Sequence, residues 1–218
     1  MTAVFAAGAW AADAGEAASP CGPNLPAAEI RVVAEHAIPH VDHTRPATEI
    51  ARQLNAAPHN VALGLTHTST TLSVEVLLKA LKAAEEALLC ARPQVSVTLR
   101  HSRIDIWLAR EIERDACVSA VVLEHEMKHV AIERDTLDWA AQQLETQLQL
   151  WYTERVLRGT EAQIKAGLVQ DFEERWTPAL EALLQSSTPR HVEHDRQDSY
   201  GDAQACGGAL YQTTRRMQ

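Results

Sequence analysis

From Asp115 to Arg158 the chain contains neither glycine nor proline. A run of this length without a breaker predicts one helix of many turns, opened by Asp115 as its N-cap. Inside it stands His125-Glu126-Met127-Lys128-His129, an H-E-x-x-H sequence. Two histidines four residues apart share one helical face and lie about 6 Å apart along the axis, within reach of a single metal ion. Glu126 is turned about 100° from His125, so it misses the ion and can serve as base toward a water beside it. Zinc is the ion that such a set suits.

The surroundings favour this over two ordinary core histidines. Stepping by threes and fours, Val118, Val122, His125, His129, Ile132 and Trp139 fall on one stripe, which turns both imidazoles inward. Hydrogen-bonded core histidines would account for one imidazole but not for the pairing or for the adjacent Glu126. A catalytic zinc takes three protein ligands, and the motif supplies two. Glu133 extends the motif to H-E-x-x-H-x-x-x-E and is the first choice for the third, although it lies about 12 Å along the axis from His125. The bland reading of Glu133 is an exposed residue paired with a nearby cation. His194, or His191 beside it in the later chain, offers a three-histidine alternative; the bland reading of that pair is a solvated charged segment. Asp135 and Asp138 are less well placed, and His36, His40 and His43 read as surface residues. Tyr152, Tyr200 or a late histidine could stabilise an oxyanion.

Alternation and turn residues predict strands over 29–35 and 61–68 and a short helix from Thr44 to Leu54. Thr70–Val76 reads as another strand or as the approach to a helix from about Val74 to Cys90, a stretch rich in Ala, Leu, Lys and Glu and ended by Pro93. Val95–Arg100 and Ile104–Leu108 read as a hairpin turning at 101–103, with its second strand at the sheet edge. A second seam, Val130, Leu137, Leu144, Leu148 and Trp151, predicts packing against a helix over about 160–184, in which Pro178 marks a kink or break. Residues 186–218 read as irregular chain. The expected fold class is α+β: a small mixed or antiparallel sheet packed on the motif helix, extended by a helical hairpin over about 116–185. One domain, 29–218, follows a linker at 19–28 and an apolar, Ala-rich leader at 1–18 that resembles a secretory signal without its basic start.

The net charge of −9 and the lack of a basic cluster exclude a nucleic-acid surface. No segment is suited to stable membrane insertion. The cysteines, Cys21, Cys90, Cys117 and Cys206, have no C-x-x-C spacing and are expected to form disulfides in an exported, periplasmic or secreted protein. Of three connectivities, 90–117 with 21–206 is the expectation, the first as a local closure of the predicted hairpin and the second as a tie between the two ends.

Over about residues 95–140, the order of hairpin, Cys117 and Val121–Val130 around the motif resembles the zincins, the H-E-x-x-H metallopeptidases. It is also similar to a group of exported bacterial zinc-dependent proteases. The resemblance implies a zincin-like sheet beside the motif helix, Zn2+ held by His125 and His129, and Glu126 as general base in peptide hydrolysis. No glycine or third histidine follows at metzincin spacing, and no glutamate-bearing second helix of the thermolysin kind is evident, so the third ligand stays open. The expected partner is a protein or peptide, with peptidoglycan cross-links as a second amide substrate. The alternative is a non-enzymatic protein whose helical hairpin mediates association and whose metal is structural or vestigial.

Overall fold

The computed structural model describes residue 21 and residues 25–54, 62–82, 88–198 and 205–217. They form a mixed α+β fold with a five-stranded sheet. The predicted leader at 1–18 lies outside the described residues. Strands β1 (Glu29–Glu35), β2 (His40–Asp42) and β3 (Gly64–Lys82) precede the spine of the sheet, β4 (Leu89–Leu108), and β5 (Leu157–Gly159) follows later in the chain. β3 pairs antiparallel with the whole of β4. The other edge of β4 receives β5, β1 and β2 in turn, β1 and β2 parallel and β5 antiparallel.

The predicted hairpin turn at 101–103 is instead a bulge within β4. Val95, Val97, Leu99 and His101 are buried on odd positions, and Ile104, Ile106 and Leu108 on even ones. The pairing with β3 shifts between Ser69, opposite Arg103, and Thr70, opposite His101. One extra residue in a strand reverses which parity faces the core, and in sequence that reversal looks like a turn between two strands. A further correction follows: Ile104–Leu108 is held between β3 and β2 and is no edge, whereas β3 has β4 as its only strand partner among the described residues.

The predicted helix over 74–90 is also overturned where its residues are described, for β3 runs to Lys82 and β4 begins at Leu89. Val74, Val76, Leu78 and Ala80 turn to the core side of β3, and Glu75, Leu77 and Lys79 face out. The segment has helix-favouring composition, but its period is two, and a 19-residue ladder outweighs propensities of a few tenths of a kcal/mol per residue.

The helices are α1 (Ala47–Gln53), α2 (Ala116–Tyr152), α3 (Glu161–Asp171), α4 (Thr177–Leu184), α5 (Thr188–Gln197) and α6 (Ala209–Met217). The 37 residues of α2 span about 55 Å, comparable with the hairpin on which it lies. Asp115 caps it by accepting a hydrogen bond from the Val118 N–H at 3.1 Å. Its seam residues Leu137, Leu144 and Leu148 pack with Ile164, Leu168, Phe172, Trp176 and Leu180 of the return arm, as the helical hairpin requires. A π-helical turn at Phe172–Trp176 joins α3 to α4 just before Pro178, which sits in the first turn of α4. Trp139, predicted to face inward, is 43% exposed, because a stripe of strict threes and fours drifts round a straight helix. The stretch expected to be irregular contains α5 and α6.

All four cysteines are bonded, Cys21 to Cys90 and Cys117 to Cys206, which corrects the expected pairing. The reason is β4. With no turn at 101–103, Cys90 and Leu108 stand at opposite ends of about 60 Å of strand, and Cys117 begins the helix at the far end. A disulfide needs its Cα atoms within about 7 Å, so Cys90 and Cys117 cannot meet. Two disulfides fit an oxidising, exported setting, and no helix of the described residues is long and apolar enough to cross a membrane.

Candidate metal centre

His125 and Glu126 are buried, at 5% and 2% exposure, on the face of α2 turned toward β3 and α5. The helical spacing brings Nε2 of His129 to 3.2 Å from Nε2 of His125. α5 crosses this face and brings His194, whose ring stacks on that of His125 with centroids 4.4 Å apart. Ligating atoms of His125, His129 and His194 all lie within 4.8 Å of one another, a group able to hold a metal ion. His194 Nε2 is 3.2 Å from the carbonyl oxygen of His125. By donating there, it leaves the lone pair on Nδ1 available to an ion.

Glu133, the first choice for third ligand, is not in this group. It meets Nε2 of His191 and lies 3.4 Å from the Thr68 hydroxyl. His191 Nδ1 is in turn 2.7 Å from His129 Nδ1. The chain of contacts has one consistent polarity: His191 donates from Nε2 to Glu133, accepts at Nδ1, and so takes the proton of His129 Nδ1. The lone pair of His129 then sits on Nε2, facing His125 and His194. A carboxylate-to-histidine contact of this kind fixes the tautomer and orientation of a ligating imidazole. Burial opposes ionisation of Glu133, but hydrogen bonds from His191 and Ser187 act against it, and the carboxyl is held below its usual range.

Glu126 is set by β3. Thr66 donates a hydrogen bond to its Oε2 at 2.9 Å, and Gly64 lets the strand backbone approach closely. A Cβ built on Gly64 would stand 2.8 Å from Cδ of Glu126, closer than carbon atoms tolerate. Burial pushes the Glu126 carboxyl up to about 7, against the opposing hydrogen bond of Thr66, which places it where a group can both take and return a proton near neutrality. Burial also pushes His129 down to about 4 and lowers His125, the latter with help from the charge of His194. Both imidazoles are therefore neutral at pH 7, the form that binds a metal.

Other expected residues lie elsewhere. Tyr152 is buried in the helical-hairpin core, where its hydroxyl donates to Asp171 at 3.1 Å, so it is no oxyanion donor; Tyr200 lies outside the described residues. Asp135 pairs with Arg190. Asp138 and His101 both meet His36, at 3.0 and 3.3 Å, so His36 is a bridging residue and not a free surface one. His40 remains exposed. The sequence reading missed Thr66, which carries no motif, and Gly64, for which an isolated glycine in a strand pattern is a signal of close approach. No family model matches the chain, and it matches neither a characterised protein nor a solved structure.

Proposed function

We propose that the chain is an exported, periplasmic or secreted zinc metallopeptidase of zincin-like architecture. The observation that carries this reading is the convergence of three imidazoles, His125, His129 and His194, beside a buried carboxyl whose affinity for protons is raised to the neutral range. Three imidazoles are a fitting donor set for zinc, which would supply Lewis acidity toward a carbonyl and acidify a water. Glu126, held by Thr66, takes the proton from the attacking water and returns it to the leaving amine. The His191–Glu133 pair keeps the His129 proton on Nδ1.

β3 supports a peptide as substrate. Its outer edge has no strand partner among the described residues, and Thr66, at the level of Glu126, belongs to it. An extended peptide adding to that edge gains main-chain hydrogen bonds and passes the carboxyl. Protein is thus the preferred substrate, with a peptidoglycan amide as the second class.

Metal analysis of purified protein tests the site: wild type should carry about one zinc and His129→Ala should lose it. Glu126→Gln should keep the zinc and lose hydrolysis of a quenched peptide library. Equal zinc in wild type and His129→Ala rules out the centre. A metal-loaded wild type whose lack of hydrolysis is matched by Glu126→Gln favours a non-catalytic, helix-mediated role.

A further inference from the structure

Asp195 follows His194 on α5. Its Oδ1 lies 3.3 Å from Nε2 of His125 and 2.9 Å from Nε2 of His129, while the two Nε2 atoms are 3.2 Å apart. Donors bound at about 2.0–2.1 Å to a tetrahedral zinc stand about 3.3 Å from one another. The two nitrogens and this oxygen are therefore spaced as three corners of one zinc cage. A carboxylate oxygen is an ordinary zinc ligand, and four protein donors make a closed site, whereas a catalytic site keeps one corner for water.

We propose that Asp195 is the fourth ligand of an ion held by His125, His129 and His194, so that this conformation of the chain is a latent one. This inference rests on the metallopeptidase reading. The side chain of Asp195 is 58% exposed, so it can leave by rotation about its own bonds while His194 stays in place. Nothing in the core resists this, for α5 has no buried residue and is anchored through polar contacts. Lys128 meets Asp198 at 2.7 Å, Arg190 meets Asp135 at 3.1 Å, and His191 bridges His129 and Glu133. A ligand that is both charged and solvent-facing is suited to exchange with an incoming water or substrate carbonyl.

The test uses the full, oxidised chain with Co2+ in place of zinc. If Asp195 closes the site, wild type gives a tetrahedral Co2+ spectrum that azide does not alter. Asp195→Asn and Asp195→Ala then keep one Co2+ per chain, hold it at least about tenfold more weakly against a chelator, and respond to azide. Peptide hydrolysis by the zinc forms should rise in both variants. An azide-sensitive wild type, with affinity and spectrum matched by both variants, overturns the role of Asp195 while the three-histidine centre stands. Wild type that binds no more Co2+ than His129→Ala overturns both.

Discussion

Glu126 is a single buried carboxyl whose affinity for protons ties the stability of the fold to pH. Its carboxyl moves from an ordinary 4.5 to about 7 because burial disfavours the charge, so the folded chain binds a proton more tightly than the unfolded one. Its contribution to stability is full below pH 4.5, declines through the window to about 7, and stays lost above it. In chelator-treated protein, Glu126→Gln should therefore resist urea better than wild type by on the order of 2 kcal/mol at pH 8, with the gap closing toward pH 4.5. Gly64→Ala acts on the same carboxyl from the strand side. Hydrolysis should fall at least about tenfold while zinc content holds, since the three atoms nearest the new methyl all belong to Glu126. His101 behaves differently. Burial, followed by the charge of His36, lowers its affinity for protons below the ordinary 6.5, so stability is full above pH 6.5 and is lost as pH falls below it. His101→Gln should flatten the acid limb of a denaturation series, and an unchanged limb would remove His101 as its source. At this scale the sequence revealed the groups that one helix places together: His125, Glu126 and His129 are neighbours by helical geometry alone. Thr66 and Asp195 were hidden, and His194 and His191 stood only as alternatives to Glu133, because these residues come from β3 and α5 and no local pattern encodes which distant element lands on a given face.

The elements separate into those specified by their own period and those specified by a partner. α2 was legible because nothing interrupts it and Asp115 caps it; β1 was legible because Glu29–Glu35 alternates. β3 was not, since its second half uses helix-favouring residues and owes its extended form to the ladder with β4. β4 was divided at 101–103 because a bulge and a turn both break alternation, and its first residues were given to the helix that Pro93 was expected to end. The distal half of α2 can be perturbed apart from the site. Leu144 is fully buried against the return arm, yet it lies about 22 Å along the helix from His129. Leu144→Ala should cost about 3 kcal/mol in denaturant unfolding and leave zinc stoichiometry unchanged. A loss of zinc in folded Leu144→Ala would show that the hairpin and the centre are coupled.

Across the whole molecule, two apolar clusters meet at a polar belt. One holds Val95, Val97 and Leu99 with Leu137, Leu144 and the return arm; the other holds Ile104, Ile106 and Leu108 with Val118, Val122 and Val130. Between them, level with the bulge in β4, lie His101, Thr68 and Glu133, so the strand irregularity and the polar groups share one zone. The disulfides divide along the same line: Cys90 belongs to the end of β4 near β5, and Cys117–Cys206 binds the start of α2 to the segment before α6. Replacing Cys117 and Cys206 by serine should cost about 2–4 kcal/mol and weaken zinc binding, while the corresponding change at Cys21 and Cys90 should affect stability more than metal, as read by calorimetry and chelator competition. The position of that second bridge also sets a timetable. His194 lies 69 positions after His125, and the chain beyond it is tied back to the start of α2 through Cys206. While Cys117 and Cys206 are reduced, α5 is kept on α2 only by the return arm and its own polar contacts, so the three-histidine group should hold an ion more weakly than in the oxidised chain. Disulfide formation and assembly of the three-histidine group would thereby be coupled, so that an oxidising compartment favours the metal-binding form of the chain.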